Sequence, residues 1–91
     1  IDYFLVTVGD ETRGPALRLA RALRDAGHSV AYALRPKAVR KQFKAAENEG
    51  AIRVVVLGPD ELAKGVAVLR DMTTGTEREV GLDELAAGAG S

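Results

Sequence analysis

The sequence predicts an α/β domain built on a five-stranded mixed sheet, with the order βαβαβ followed by a β-hairpin and about three flanking helices. Two observations lead to this prediction. Over residues 1–57, apolar β-prone segments alternate with amphipathic segments, which is typical of right-handed parallel units. After residue 58, an apolar segment and an alternating segment flank a Thr-Thr-Gly turn, which is typical of a hairpin.

The first three strands are expected to be buried and parallel. The apolar run at residues 3–8 ends at Gly9, as a buried strand does before a turn. Val30–Leu34 is the second expected strand, and Pro36 ends it. Ile52–Leu57 is nearly all apolar and rich in β-branched residues, which is the composition of a central parallel strand.

Two amphipathic helices are expected between these strands. The first begins near Pro15 and stops at Gly27, which suits the position after a helix. Its apolar residues recur at helical spacing: Ala16, Leu19, Ala20, Leu23 and Ala26. The second helix is expected at residues 37–49 and stops at Gly50.

The remaining chain predicts a hairpin and a short final helix. Val66–Arg70 and Thr76–Val80 are the expected strands, joined by a turn at Met72–Gly75. The last helix is expected at Leu82–Ala87. We expect one domain at residues 1–87 and a flexible tail at 88–91. Because the chain begins at Ile1 rather than Met, we interpret it as a piece of a longer protein.

Composition excludes several classes of function. The chain has no cysteine and one histidine, so we expect neither disulfides nor a metal site. Its apolar runs, such as Val54–Leu57, are far too short to span a membrane. No signal-peptide pattern opens the chain, and a cytoplasmic location is expected.

One segment is strongly basic although the whole chain balances 13 basic and 13 acidic residues. Residues 35–44 contain no anion and five cations: Arg35, Lys37, Arg40, Lys41 and Lys44. On a helix, all but Arg35 fall within about 100° of each other, opposite Val39, Phe43 and Ala46. A solvated helix face would explain this pattern, but four like charges without acidic neighbours repel each other. An anionic partner would relieve the repulsion, and the charge favours nucleic acid over membrane.

Acidic residues also follow two of the expected strands. Asp10, Glu11 and Asp60 come after strand ends, where α/β proteins bind ligands. A Mg²⁺-binding phosphoacceptor domain would need an aspartate at the end of the third strand, but Gly58-Pro59 stands there. Residues 8–15 lack the Lys-Ser/Thr pair of a P-loop. The sequence shows no catalytic nucleophile with a matching general base, so we predict no catalytic residue.

A family resemblance becomes clear at residues 39–80, which read VRKQFKAAENEGAIRVVVLGPDELAKGVAVLRDMTTGTEREV. This segment resembles the C-terminal anticodon-binding domain of class II aminoacyl-tRNA synthetases. Within that group it is most similar to histidyl-tRNA synthetase. The front half, with ALRLARALRDAG after a short strand, is similar as well, so the resemblance covers about residues 3–86.

The resemblance implies roles for particular residues. Domains of this type use a glutamate just after the third strand and an arginine nine positions later, and Glu61 and Arg70 match those positions. A carboxylate offers only acceptors, which suit the N–H donors on the Watson–Crick edge of guanine. The simpler interpretations are a helix-start or loop carboxylate near Lys64 for Glu61, and a strand-edge ion pair with Asp71 or Glu77 for Arg70. The five cations of residues 35–44 would contact the tRNA backbone.

The resemblance also implies partners and cofactors. The domain would bind the anticodon loop of histidine tRNA, whereas ATP and Mg²⁺ would be used by a catalytic core that this sequence lacks. The parent would be a homodimer assembled through that core, and this piece alone would be a monomer. Two alternatives stay open: a synthetase-like paralogue or regulatory subunit that does not charge tRNA, and a protein-interaction module with a basic docking face.

Overall fold

The computed structural model describes residues 1–32 and 38–87. Within these residues the chain forms five strands, a short 3₁₀ turn and four α-helices. The strands are β1 (Tyr3–Thr7), β2 (Val30–Tyr32), β3 (Arg53–Leu57), β4 (Val66–Asp71) and β5 (Glu77–Gly81). The helices are α1 (Arg13–Asp25), α2 (Val39–Asn48), α3 (Pro59–Lys64) and α4 (Leu82–Ala86), and the 3₁₀ turn is Asp10–Thr12.

All five strands form one mixed sheet in the order β2-β1-β3-β4-β5. Strand β1 is parallel to both β2 and β3. Strand β4 is antiparallel to β3, and β5 is antiparallel to β4. This arrangement confirms the predicted five-stranded mixed sheet, and the 2-1-3 order of its parallel strands is the one that right-handed crossovers give when helices cover both faces.

The sheet separates two hydrophobic cores, because successive strand residues face opposite sides. Tyr3, Leu5 and Val55 pack with the apolar stripe of α1 and with Leu85 of α4. We call this side of the sheet the α1 face. On the other side, the α2 face, Phe4, Val6 and Val54 pack with α2. Both sides of β1 are therefore buried, which explains why this strand is an unbroken apolar run.

A buried polar side chain ties α2 to β1. Gln42 is only 1% exposed. Its Oε1 accepts the backbone N–H of Thr7 at 3.0 Å, and its Nε2 donates to the Thr7 carbonyl at 2.8 Å. The described pairs between β1 and β2 end two residues earlier, at Leu5 and Tyr32. The amide of Gln42 therefore bonds backbone groups of Thr7 that would be costly to bury unpaired.

The hairpin turn is held by Asp71. Its Oδ1 accepts the backbone N–H of Thr73 at 2.8 Å and the Thr73 hydroxyl at 2.5 Å. These hydrogen bonds, the hydroxyl first, lower the pKa of the Asp71 carboxyl below its ordinary value of 3.8. Gly75 has a φ of 75°, a left-handed conformation that side chains disfavour. The turn therefore fixes the register of β4 against β5.

Helix α3 was not predicted, and the described chain has four α-helices rather than about three. A helix of six residues is too short to show an apolar period. Its ends do carry the usual signals: Pro59 at the start, acids Asp60 and Glu61 in the first turn, and Gly65 in a left-handed conformation at the end. Helix α1 begins two residues before Pro15, at Arg13.

Some predicted segments extend beyond the described residues. Positions 33 and 34 of the second expected strand, Arg35, Lys37 and the expected tail at 88–91 all lie there. Within the residues that are described, no helix is long and apolar enough to cross a membrane.

Candidate nucleic-acid interface

The α2 face of the sheet is only partly covered. Helix α2 packs over β1 and β3, whereas the β4 residues on this face remain partly exposed. Val56 pairs with Val68 across β3 and β4, and Val66 shares their face because it lies two residues from Val68. All three valines are half-buried. We call Val56, Val66 and Val68 the open valine strip.

Glu61 lies at one end of the open valine strip. It occupies the first turn of α3, whose N-cap is Gly58. Its carboxylate folds back over this glycine: a Cβ placed on Gly58 would lie 2.8 Å from Oε1 of Glu61 and 3.8 Å from Cβ of Val8. Because Gly58 follows Val56 by two residues in extended backbone, the carboxylate lies on the α2 face at the carboxyl end of β3.

The carboxylate of Glu61 is available to a ligand. Lys64, the cation that a simple structural role would pair with Glu61, lies 3.9 Å from Glu79 instead. Among the residues that the structure describes, no ion pair involves Glu61. Glu61 therefore presents hydrogen-bond acceptors at a partly exposed site.

Arg70 lies at the other end of the open valine strip. It pairs with Val54 across β3 and β4 and with Glu77 across β4 and β5. Nη1 of Arg70 donates to Oε1 of Glu77 at 2.8 Å, and the guanidinium carbon lies 5.8 Å from the ring centroid of Phe43 in α2. The Arg70 side chain is 38% exposed. The Glu77 pair expected from a simple structural role thus exists, yet the guanidinium still reaches solvent beside α2.

The structure does not bring Glu61 and Arg70 together. Gly58, under the Glu61 carboxylate, and Val54, the partner of Arg70, are four residues apart in the chain. This spacing corresponds to about 13 Å along the strand, beyond hydrogen-bonding reach of a single small group. The two residues share one sheet face but would contact different parts of a ligand.

The basic helix borders this face. Arg40, Lys41 and Lys44 of α2 are exposed, and the described residues include no ion pair to any of them. On the opposite side of α2, Ala46 is buried and Val39 and Phe43 are half-buried against the sheet, as the helical spacing predicts. The exposed cations therefore lie on the solvent side of α2, the helix that borders the open valine strip.

The other acidic residues form no comparable site. Glu11 folds over Gly9 as Glu61 folds over Gly58, with both oxygens 2.9 Å from where a Cβ of Gly9 would lie. The 3₁₀ turn that contains Asp10 and Glu11 contacts α3, which contains Asp60. No group of three possible metal ligands is found among the described residues. Among the described residues, the carboxylates at this edge of the sheet therefore do not form a metal-binding site.

His28 has a structural environment. Its Nδ1 lies 3.7 Å from Oδ2 of Asp2, and its ring meets the edge of buried Tyr3 at a centroid distance of 5.2 Å. The pKa of Asp2 is lowered, first by its hydrogen bond from the Ser29 backbone and then by the His28 charge. These contacts hold the start of β1 against the loop between α1 and β2.

The sequence does not show the roles of two members of the candidate site. Phe43 packs against the hydrophobic core, as its side of the helix predicts, but it also contacts Arg70. The sequence indicates Glu77 only as a possible ion-pair partner of Arg70. Its position opposite Arg70 could have been found by counting outward from the turn at Met72–Gly75, because the alternation of an antiparallel pair fixes which side chains share a face.

This geometry suits a single-stranded nucleic acid. The carboxylate of Glu61 lies at one end of the open valine strip, the guanidinium of Arg70 lies at the other end, and the bordering helix α2 carries exposed cations. Proteins read single-stranded RNA through exposed base edges and hold it through its phosphates. Comparison with known families agrees: residues 2–89 match the family model for the anticodon binding domain, and the chain belongs to that family.

The relatives narrow the family further. The chain is 43% identical over 86 residues to a histidine–tRNA ligase of Bacillus cytotoxicus, covering 94% of the chain and 20% of the relative. It is 45% identical over 80 residues to the histidine–tRNA ligase of Rubrobacter xylanophilus, covering 88% and 19%. The chain therefore spans about one fifth of the length of these relatives.

Solved structures show the same fold. The histidyl-tRNA synthetase of S. aureus matches with a TM-score of 0.89 and 31% identity, over 94% of this chain and 25% of that one. The histidyl-tRNA synthetase of Nostoc sp. matches with a TM-score of 0.85 and 31% identity, over 98% and 22%. The RNA binding domain of threonyl-tRNA synthetase from Cryptosporidium parvum shares the fold at a TM-score of 0.83 and 20% identity.

Proposed function

We propose that this domain binds the anticodon loop of histidine tRNA as part of a histidine–tRNA ligase. The observation that carries the proposal is the α2 face, where Glu61 and Arg70 lie at opposite ends of the open valine strip beside α2, the helix that carries the exposed cations. Family membership and the names of the relatives support the same function.

The chemistry of the two ends matches an anticodon that contains guanine. The histidine anticodon GUG has two guanines, each with N1–H and N2–H₂ donors on its Watson–Crick edge. Glu61 can accept both donors of one guanine, because an ionised carboxylate has two oxygens and no hydrogen to donate. Arg70 can contact a base acceptor or a phosphate about 13 Å away along the strand. The two residues would therefore hold different nucleotides of the loop.

The basic helix supplies affinity rather than sequence discrimination. Arg40, Lys41 and Lys44, together with Arg35 and Lys37 outside the described residues, would meet the phosphates that flank the anticodon. Contacts to phosphates release counterions and carry little sequence information. In this proposal Glu61 reads base identity and the basic helix holds the RNA backbone. Arg70 contacts either a base or a phosphate.

The rest of the parent protein would carry the chemistry. Histidine activation with ATP and Mg²⁺ would occur in the four-fifths of a ligase that this chain does not span, in a cytoplasmic homodimer assembled through that catalytic part. The domain itself would bind RNA as a monomer. A non-charging paralogue and a protein-docking module are less favoured, because the relatives described above carry the name of the ligase.

Fluorescence titration of the 91-residue chain tests the proposal. The ligands are an anticodon stem-loop with GUG and two stem-loops in which one guanine is replaced by adenine. We expect the GUG stem-loop to bind more tightly than at least one variant by about 5- to 150-fold, the range of one good base contact. Equal binding of all three stem-loops would contradict anticodon reading.

A further inference from the structure

Glu77 places a carboxylate inside the candidate interface. It lies on β5 directly opposite Arg70, and its side chain is 50% exposed. A free carboxylate at this position would repel RNA phosphates. Its Oε1 instead accepts a hydrogen bond from Nη1 of Arg70 at 2.8 Å.

The ion pair between Arg70 and Glu77 contributes little to folding stability. Its two side chains are 38% and 50% exposed, and ion pairs this exposed contribute little to folding because solvent and salt screen them. The pair has a clearer effect on geometry. With Glu77 on one side and the Phe43 ring 5.8 Å away on the other, the guanidinium of Arg70 is held between β5 and α2.

We propose that Glu77 is a positioning residue for RNA binding, which orients Arg70 toward the nucleotide at the end of the open valine strip. This inference rests on the proposed function. An arginine carries five N–H donors in a rigid plane, so one bond to Glu77 fixes the direction of the others. Fixing a long side chain before binding removes an entropy cost that would otherwise weaken the complex.

The chain offers a matched control in Glu79. This residue lies two positions along β5 on the same face, since it pairs with Val68. Its side chain is 58% exposed and its partner is Lys64 at 3.9 Å. Glu77→Ala and Glu79→Ala therefore remove the same charge and the same acceptor oxygens from the same strand and face, and the long-range electrostatic gain for RNA binding is similar in both.

The experiment measures the dissociation constant of each variant for the GUG anticodon stem-loop at one salt concentration. Glu79→Ala should bind as tightly as the unmodified chain or more tightly, because a negative charge has been removed. Glu77→Ala, which also removes the oxygen that accepts the Arg70 hydrogen bond, should bind about 2- to 12-fold more weakly, the range expected when one long side chain loses its preorganisation. The two variants should thus move in opposite directions.

A double-mutant cycle separates positioning from a general effect on the fold. In the Arg70→Ala background Glu77 has no guanidinium to orient, so Glu77→Ala should no longer weaken binding. Equal shifts for Glu77→Ala and Glu79→Ala, or the same weakening by Glu77→Ala with and without Arg70, would overturn the inference. Failure of the unmodified chain to prefer the GUG stem-loop would instead contradict the proposed function, so the two failures are distinguishable.

Discussion

Substitution of Gly58 by alanine should disturb base reading while preserving the fold. Gly58 has φ −113° and ψ 174°, an extended conformation that alanine adopts freely. The new Cβ would lie 2.8 Å from Oε1 of Glu61, whereas ordinary contacts begin at 3.4 Å, so the carboxylate oxygen must retreat by about 0.6 Å. The end of a flexible side chain can make this movement at little cost to stability.

The displacement is large on the scale of a hydrogen bond. An acceptor set at about 2.9 Å from a guanine nitrogen would move to about 3.5 Å, where the bond is largely lost. We expect Gly58→Ala to reduce the preference for the GUG stem-loop over its guanine-replaced variants by about 1–3 kcal/mol, or about 5- to 150-fold. Paired fluorescence titrations against matched and altered stem-loops measure this ratio directly.

Gly14 provides a matched control for the same substitution. It lies in α1 on the other face of the sheet, and a Cβ there would stand 3.7 Å from Nη1 of Arg18, an ordinary contact. Gly14→Ala should leave the preference unchanged and should stabilise the helix by roughly 0.5–1 kcal/mol. If Gly58→Ala retains the full preference of the unmodified chain, the placement of Glu61 does not set specificity and the reasoning is wrong.

Three further predictions concern α2 and the hairpin. Replacing Lys41 and Lys44 together by glutamine should flatten the log–log salt dependence of RNA binding by about 0.7–1.4, one to two phosphate contacts for a single strand. Gln42→Ala should lower the free energy of unfolding in urea by about 2–3 kcal/mol, because the backbone groups of Thr7 lose both partners. The lowered pKa of Asp71 contributes stability that is present above its ordinary pKa of 3.8 and is lost as pH falls through the lower folded value. Asp71→Asn should therefore lose less stability than the unmodified chain between about pH 5 and pH 2 in thermal melts.

Each of these measurements has an informative opposite result. Arg18→Gln with Arg21→Gln removes two exposed cations from α1, on the other sheet face, and should leave the salt slope unchanged. A salt slope that responds equally to both pairs would mean that α2 contributes only general charge. Gln42→Ala with unchanged urea stability would show that water satisfies Thr7. Parallel acid transitions for Asp71→Asn and the unmodified chain would assign the acid sensitivity to other carboxylates.

Much of the fold could be predicted because each signal was local. Glycines and prolines marked the ends of the segments, and the apolar runs of β1 and β3 indicated strands buried on both faces. The short helix α3 was missed because its six residues carry end signals without a periodic stripe. Gln42 was missed because its role depends on the backbone of Thr7, 35 residues away.

The candidate site could be predicted only in part, because its arrangement depends on contacts between residues that are distant in the sequence. Glu61, Arg70 and the basic helix could be selected from residue type and from the family resemblance. Their arrangement could not, because the distance between Glu61 and Arg70 follows from the antiparallel pairing of β3 with β4. The contacts of Arg70 with Glu77 and Phe43 likewise depend on the pairing of β4 with β5 and on the packing of α2 against the sheet.

The most direct test of the central claim is the base preference of Glu61→Gln. The substitution nearly preserves shape and replaces one acceptor oxygen with an NH₂ donor that would face the donors of guanine. Titrations of both proteins against GUG and guanine-replaced stem-loops at one salt concentration should show the preference falling by about 1–3 kcal/mol, with an unchanged salt slope because no phosphate contact is lost. Equal preference in the two proteins would show that Glu61 has only a structural role and would contradict base reading at this end of the sheet.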